Sequence, residues 1–138
     1  MSSEKLIQSY CKALLENDLT AMLLLFSEQA TVQSPLYPLM KASDFFRKLF
    51  QTTYRTKVKY KNVFSRSLLP GVIAAHLELA GGPKNGVLVE FEAVDIFELD
   101  ANQKIQRLTI IYDTYPVRLK TAKPDLSEEQ TLVRSESP

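Results

Sequence analysis

The sequence predicts an α+β domain: three N-terminal helices packed on one face of a curved antiparallel sheet. Three observations carry this. Apolar residues recur at helical spacing up to about Tyr54, then alternate with polar ones at period two from Thr56 onward. Clusters of Gly, Pro and Asn divide that second part into four strands. Helices first and strands after is the order that segregates helices to one face of a sheet. A sheet curved over helices leaves a concave pocket.

The bulk properties fit one soluble domain. A chain of 138 residues buries roughly two thirds of its unfolded surface. Seventeen Lys and Arg against sixteen Asp and Glu give a net charge of +1, which asks for neither nucleic acid nor an acidic membrane. A single cysteine, Cys11, forbids an intramolecular disulfide and points to a reducing, cytoplasmic setting. The first residues carry Glu4 and Lys5 and no apolar leader-type run. The longest apolar run, Ala21 to Phe26, is far too short to span a bilayer.

Taken in order, Ser3 to Asn17 is an amphipathic helix with Leu6, Tyr10, Ala13 and Leu14 on one face and Ser2 or Ser3 as its cap. Asp18 caps a second helix, Leu19 to Ser27, apolar almost all round and therefore buried on more than one side. Ala30 to Gln33 is a short strand, broken by Ser34 to Pro38. Ser43 caps a third helix reaching about Tyr54, with Phe45, Phe46, Leu49, Phe50 and Thr53 inward. Val58, Tyr60 and Phe64 mark the next strand, and Lys57, Lys59 and Lys61 solubilise its other face. Leu69-Pro70-Gly71 is a turn. In Val72 to Ala80, Ile73, Ala75, Leu77 and Leu79 share one side and His76 lies on the more polar one. Gly81 to Gly86 is a loop. Val87 to Leu99 and Ile105 to Tyr115 are long strands joined by the polar turn Asp100 to Gln103, with Pro116 ending the last. Residues 3–117 thus form the domain. Residues 118–138 form a polar C-terminal tail with a short helix around Leu126 to Leu132.

The most informative residue is Asp95. It shares one side of its strand with Val87, Val89, Phe91, Ala93, Phe97 and Leu99, all apolar. An ionised carboxylate there is costly unless paired or protonated, which is how pocket acids acquire raised pKa values.

Helix, helix, short strand, helix and long strands resemble the cone-shaped fold of the nuclear transport factor 2-like superfamily, which includes ketosteroid isomerase and the SnoaL-like polyketide cyclases. Three stretches carry the resemblance: Tyr10 to Asp18, Phe26 to Pro35, and Asp95 to Asp100 with Lys104-Ile105 and Tyr112-Asp113. It implies that Tyr10 and Asp95 match the pair that donates hydrogen bonds to a developing enolate oxygen. Ser34 falls where the family carries its proton-abstracting aspartate, and a serine hydroxyl does not replace that base. Asp113, or His76, is the nearest acid or base of the cyclase type. The resemblance also implies a homodimer packed through the sheets.

The expected site therefore comprises Tyr10, Asp95 and Asp113 as catalytic residues, with Ser34, Tyr37, Phe46, Phe50, Phe91 and Phe97 lining a pocket for an apolar small molecule. Cys11 reads as a small buried hydrophobe and His76 as a solvent- or dimer-facing residue. One histidine and no Cys/His spacing imply no metal, and no glycine-rich phosphate loop implies no nucleotide cofactor. Two functions follow: an isomerase- or cyclase-like enzyme acting on a carbonyl compound, or a non-catalytic binding or dimerisation module whose pocket its own side chains fill.

Overall fold

The computed structural model describes residues 2–66 and 71–121. Helix α1 (Ser3–Glu16) starts at Ser2, whose Oγ accepts from the Lys5 N–H at 3.1 Å. It stops at Asn17, which takes the left-handed conformation (φ 53°) that ends a helix. Its apolar stripe, Leu6, Ile7, Tyr10, Cys11, Ala13 and Leu14, is buried. Helix α2 (Leu19–Leu23) is capped by Asp18 and is shorter than its apolar run suggested. The Leu24 carbonyl accepts from Lys104 Nζ and the Leu25 carbonyl from the Ile105 N–H, so tertiary partners replace the next helical bonds. Only Met22 of α2 is buried, and the following Leu24 is 65% exposed, against the expectation of burial on several sides.

Strand β1 (Phe26–Gln33) accordingly begins four residues earlier than the alternation at Ala30 implied. A two-residue strand β2 (Met40–Lys41) precedes α3 (Ala42–Thr52). Lys41, not Ser43, is the α3 N-cap, and no side chain caps this end. Phe45, Phe46 and Phe50 form its buried face.

Strands β3 (Thr53–Ser65), β4 (Val72–Pro83), β5 (Val89–Leu99) and β6 (Ile105–Ile111) are antiparallel neighbours in chain order. The sheet order is β2-β1-β6-β5-β4-β3, with one parallel pair, β1 with β6. Register shifts at Arg55/Lys57 and Tyr60/Asn62 in β3, and one opposite Glu98/Leu99 where β6 holds the extra residue Gln106, are bulges of the kind that bend strands, and the sheet stays open.

Gly81, Gly82 and Pro83 continue β4 instead of forming the loop expected there. The turn lies beyond them, where the Gly86 N–H donates to the Pro83 carbonyl. Glycine is required at 81, because a Cβ would meet the Tyr54 carbonyl oxygen at 2.6 Å. At the other end Pro116 does not close a strand. It sits in the first turn of α4 (Thr114–Thr121), where its missing N–H is tolerated. That helix takes in Arg118 and Leu119, which the composition assigned to the tail. Leu69, Pro70 and the helix expected around Leu126 to Leu132 lie outside the described residues.

The core fills the space between the helices and the sheet. Tyr10, Phe46, Phe97, Ile7 and Met22 are its largest fully buried members among the described residues. Among the described residues, no helix is long and apolar enough to cross a membrane.

Candidate functional site

Asp95 lies in the middle of the sheet, opposite Ala75 of β4 and Ile110 of β6. Its neighbours two positions away, Ala93 and Phe97, are buried, so its side chain points into the core side. It is 2% exposed and is the only buried charged residue among those described. The Tyr10 hydroxyl, on the inner stripe of α1, donates to Asp95 Oδ2 at 2.7 Å. Phe97 stands edge-on to the Tyr10 ring at 4.9 Å and fixes its tilt. Asp95 Oδ1 is buried and has no partner. Burial pushes the carboxyl up to about 7, and the Tyr10 hydrogen bond pulls the other way. Burial and the neighbouring Asp95 hold the Tyr10 phenol well above its ordinary range.

Both residues open onto a cavity of about 270 Å³. That is near the lower end of the roughly 300–1,000 Å³ usual for ligand sites, suited to one or two rings. Its walls are mainly apolar, with Leu14, Phe45, Phe46, Leu79, Val89 and Phe91 among them. Leu36 lines it while remaining 46% exposed, which puts this residue at the mouth. Val117 brings α4 into the wall.

No family model and no curated protein matches the sequence. Solved structures do. A proposed polyketide cyclase from Pseudomonas putida is 18% identical, with a TM-score of 0.72 over 88% of this chain and 99% of that one. A hypothetical protein of ketosteroid isomerase-like fold from Catenulispora acidiphila, solved with trimethylamine, is 12% identical, with a TM-score of 0.74 over 89% and 96%. An epoxide hydrolase of M. tuberculosis is 12% identical, with a TM-score of 0.68 over 85% and 86%. The fold is nuclear transport factor 2-like. At these identities the likeness is one of fold.

Within the nuclear transport factor 2-like cone, Tyr10, Ser34, Tyr37, Phe46, Phe91 and Asp95 converge on the cavity. The Ser34 Oγ is buried there without a partner. Phe50 and Phe97 are buried but belong to the shell behind the wall: Phe50 packs on Phe46 at 5.7 Å, and Phe97 supports Tyr10. Asp113 is exposed and is not on the cavity lining; its Oδ1 accepts from the Tyr115 N–H at 3.0 Å, at the start of α4. His76 is on the opposite face of the sheet, bonded to Glu92 at 2.7 Å and facing Asn62. Cys11 is buried beside the site, and burial pushes its thiol up to about 12. Among the described residues, no group of three His, Cys, Asp or Glu could hold a metal ion.

Among the lining residues that escaped the sequence reading are Tyr112 and Arg55. Tyr112 follows β6, packs on Phe91 at 5.0 Å, and has its phenol pushed up to about 12 by burial and by Tyr37 and Asp95. The alternation Leu108, Ile110, Tyr112 was the available signal. Arg55 was hidden by the bulge that follows it, since in a regular strand it would share a face with Lys57.

Proposed function

We propose that the cavity binds an apolar small molecule bearing a carbonyl or enol-like oxygen, and that Asp95, backed by Tyr10, acts on that oxygen. The observation that carries this is the buried, unpartnered Oδ1 of Asp95 at the wall of an apolar cavity. A carboxyl near 7 offers a proton from Oδ1 at neutral pH. As negative charge grows on the ligand oxygen, that proton moves toward it. The carboxylate left behind keeps the Tyr10 hydrogen bond on Oδ2. Because the Tyr10 hydrogen already goes to Asp95, the two donors work in series and not side by side. Isomerase- or cyclase-type chemistry fits such a site, with water as the base.

One observation favours binding without turnover. Among the described residues, Asp95 is the only carboxylate on the cavity wall. Titration with planar phenols, whose phenolates mimic an enolate, tests the site on the wild type, Tyr10→Phe and Asp95→Asn. Tight binding that weakens in both variants is expected; a folded wild type that binds none of them rules the site out. Proton NMR of a bound cyclic ketone in D2O then separates the two readings. Loss of the α-hydrogen signals marks an enzyme, and their retention with binding intact marks a binding module.

We also propose that a second copy covers the outer face of the sheet. Phe64, Val94 and Ile111 are 57%, 37% and 51% exposed there, beside Ala74 and Ile96. Analytical ultracentrifugation is expected to give a dimer, and Ile111→Glu a monomer. A monomeric wild type at micromolar concentration removes this proposal.

A further inference from the structure

Arg55 is a cation in the cavity wall, and among the described residues no carboxylate pairs with it. The chain goes to some length to put it there. Lys57 pairs with Ala80, but the next pairing is Arg55 with Gly81, so β3 holds one extra residue at this point. That bulge turns Arg55 inward while Lys57 stays on the outer face. Gly81 then leaves room for the arginine stem, since a Cβ at 81 would meet Arg55 Cγ at 2.8 Å.

The guanidinium lies over the Phe50 ring, 5.4 Å from its centroid. Nε donates to the Leu14 carbonyl at 2.8 Å, Nη1 to Thr53 Oγ1 at 2.9 Å, and Nη2 to Asn17 Oδ1. Asn17 is itself fixed, its Nδ2 donating to the Phe50 and Thr53 carbonyls. All three acceptors of Arg55 are neutral. No Asp or Glu forms an ion pair with it among the described residues. A guanidinium has five N–H groups, so two remain. Burial pulls its pKa down to about 10, the mark of a cation removed from water without a counter-charge. Leu14 is one helical turn beyond Tyr10, about 6 Å along the axis of α1, so the arginine and the Tyr10–Asp95 pair mark two polar points on one apolar wall.

We infer that the ligand is an apolar molecule ending in a carboxylate, which takes the two remaining Arg55 donors while its oxygen-bearing ring faces Asp95. This rests on the reading of the cavity given above and narrows its ligand class. A planar fork presenting paired N–H groups from a pre-set position matches a carboxylate bidentately.

Three naphthalenes of nearly the same shape test it: 2-naphthol, 6-hydroxy-2-naphthoate and the methyl ester of the latter. The wild type is expected to bind the acid at least tenfold more tightly than the ester or the naphthol. Arg55→Gln is expected to erase that preference. On the wild type alone, the Arg55 Nε–H resonance is expected to shift with the acid and not with the ester, a readout that survives if the variant does not fold. Equal affinity for acid and ester, a preference that persists in folded Arg55→Gln, or an Nε–H resonance blind to the acid overturns the inference. In those cases 2-naphthol binding that depends on Asp95 leaves the cavity reading intact. Failure of all three compounds to bind removes both.

Discussion

Tyr10 and Asp95 stand 85 positions apart in the chain, yet the phenol of one donates to the carboxyl of the other at 2.7 Å. This bond acts on the acid in one direction: it lowers a pKa that burial raises. Removing the hydroxyl as Tyr10→Phe is therefore expected to move the Asp95 pKa upward from about 7, followed as the pH titration of its carboxyl carbon by NMR. The same change is expected to cost about 1–3 kcal/mol of stability, and more at pH 8 than at pH 5, because the ionised acid gains most from the bond.

Stability should depend on pH through this one group. The folded pKa of Asp95, about 7, lies above the ordinary carboxyl value of 3.8. The folded state therefore holds a proton that the unfolded chain has released, and the contribution to stability is fully present below the unfolded value. It is lost as the pH rises through that window to about 7, at roughly 1.4 kcal/mol per pH unit. Urea unfolding at pH 5, 6, 7 and 8 is expected to show the decline in the wild type and its absence in Asp95→Asn. A wild type that becomes more stable from pH 5 to 7, with the variant unchanged, would contradict the burial of a neutral acid.

Asp113 offers a contrasting expectation. Its carboxylate accepts from Tyr115 at the start of α4. Asp113→Ala should then cost about 0.5–2 kcal/mol, the usual cost of losing a helix cap. Faster amide exchange confined to α4 is the measurement, with phenol affinity unchanged. A large loss of affinity would return Asp113 to the site.

Cys11 is 6% exposed, with its thiol pushed to about 12 by burial and by Asp95. At pH 8 the thiolate fraction is about one in ten thousand. A disulfide reagent should leave the native protein untouched and react at once in urea. Rapid native labelling would mean that α1 opens from the sheet.

Period-two alternation showed in the sequence what a regular strand shows. Asp95 stood out because its six companions at period two are apolar; of these the structure buries Val89, Ala93 and Phe97 around it, half-buries Phe91 and Leu99, and leaves Val87 exposed ahead of β5. Phe45, Phe46 and Phe50 were equally legible from helical spacing. What stayed hidden involves departures from regularity. The bulge after Arg55 reversed its face. Leu24 and Leu25 look helical by composition, but Lys104 and the first residue of β6, Ile105, claim their carbonyls. Gly81-Gly82 reads as a turn, although its real role is to let neighbouring strands and the arginine stem approach. Asp113 was placed by the resemblance, and no local pattern distinguishes a cap from a catalytic acid when both end a strand.

Strand β1 has only β2 and β6 as neighbours, and with β2 it pairs only through Thr31 and Val32. During synthesis β6 emerges last of all the strands, so β1 waits with most of one edge bare while the β3–β5 meander is already complete. Such an edge is a template for a stray chain. The assembly order is thus written into the topology: the meander first, then β1 sealed by the arrival of β6. Pulse-labelled hydrogen exchange during refolding is expected to protect β1 amides no earlier than those of β6; early protection of β1 alone would exclude that order. Until β6 docks, the wall bearing Ser34 has nothing to hold it opposite Asp95, and the nascent protein carries its acid with no chamber around it.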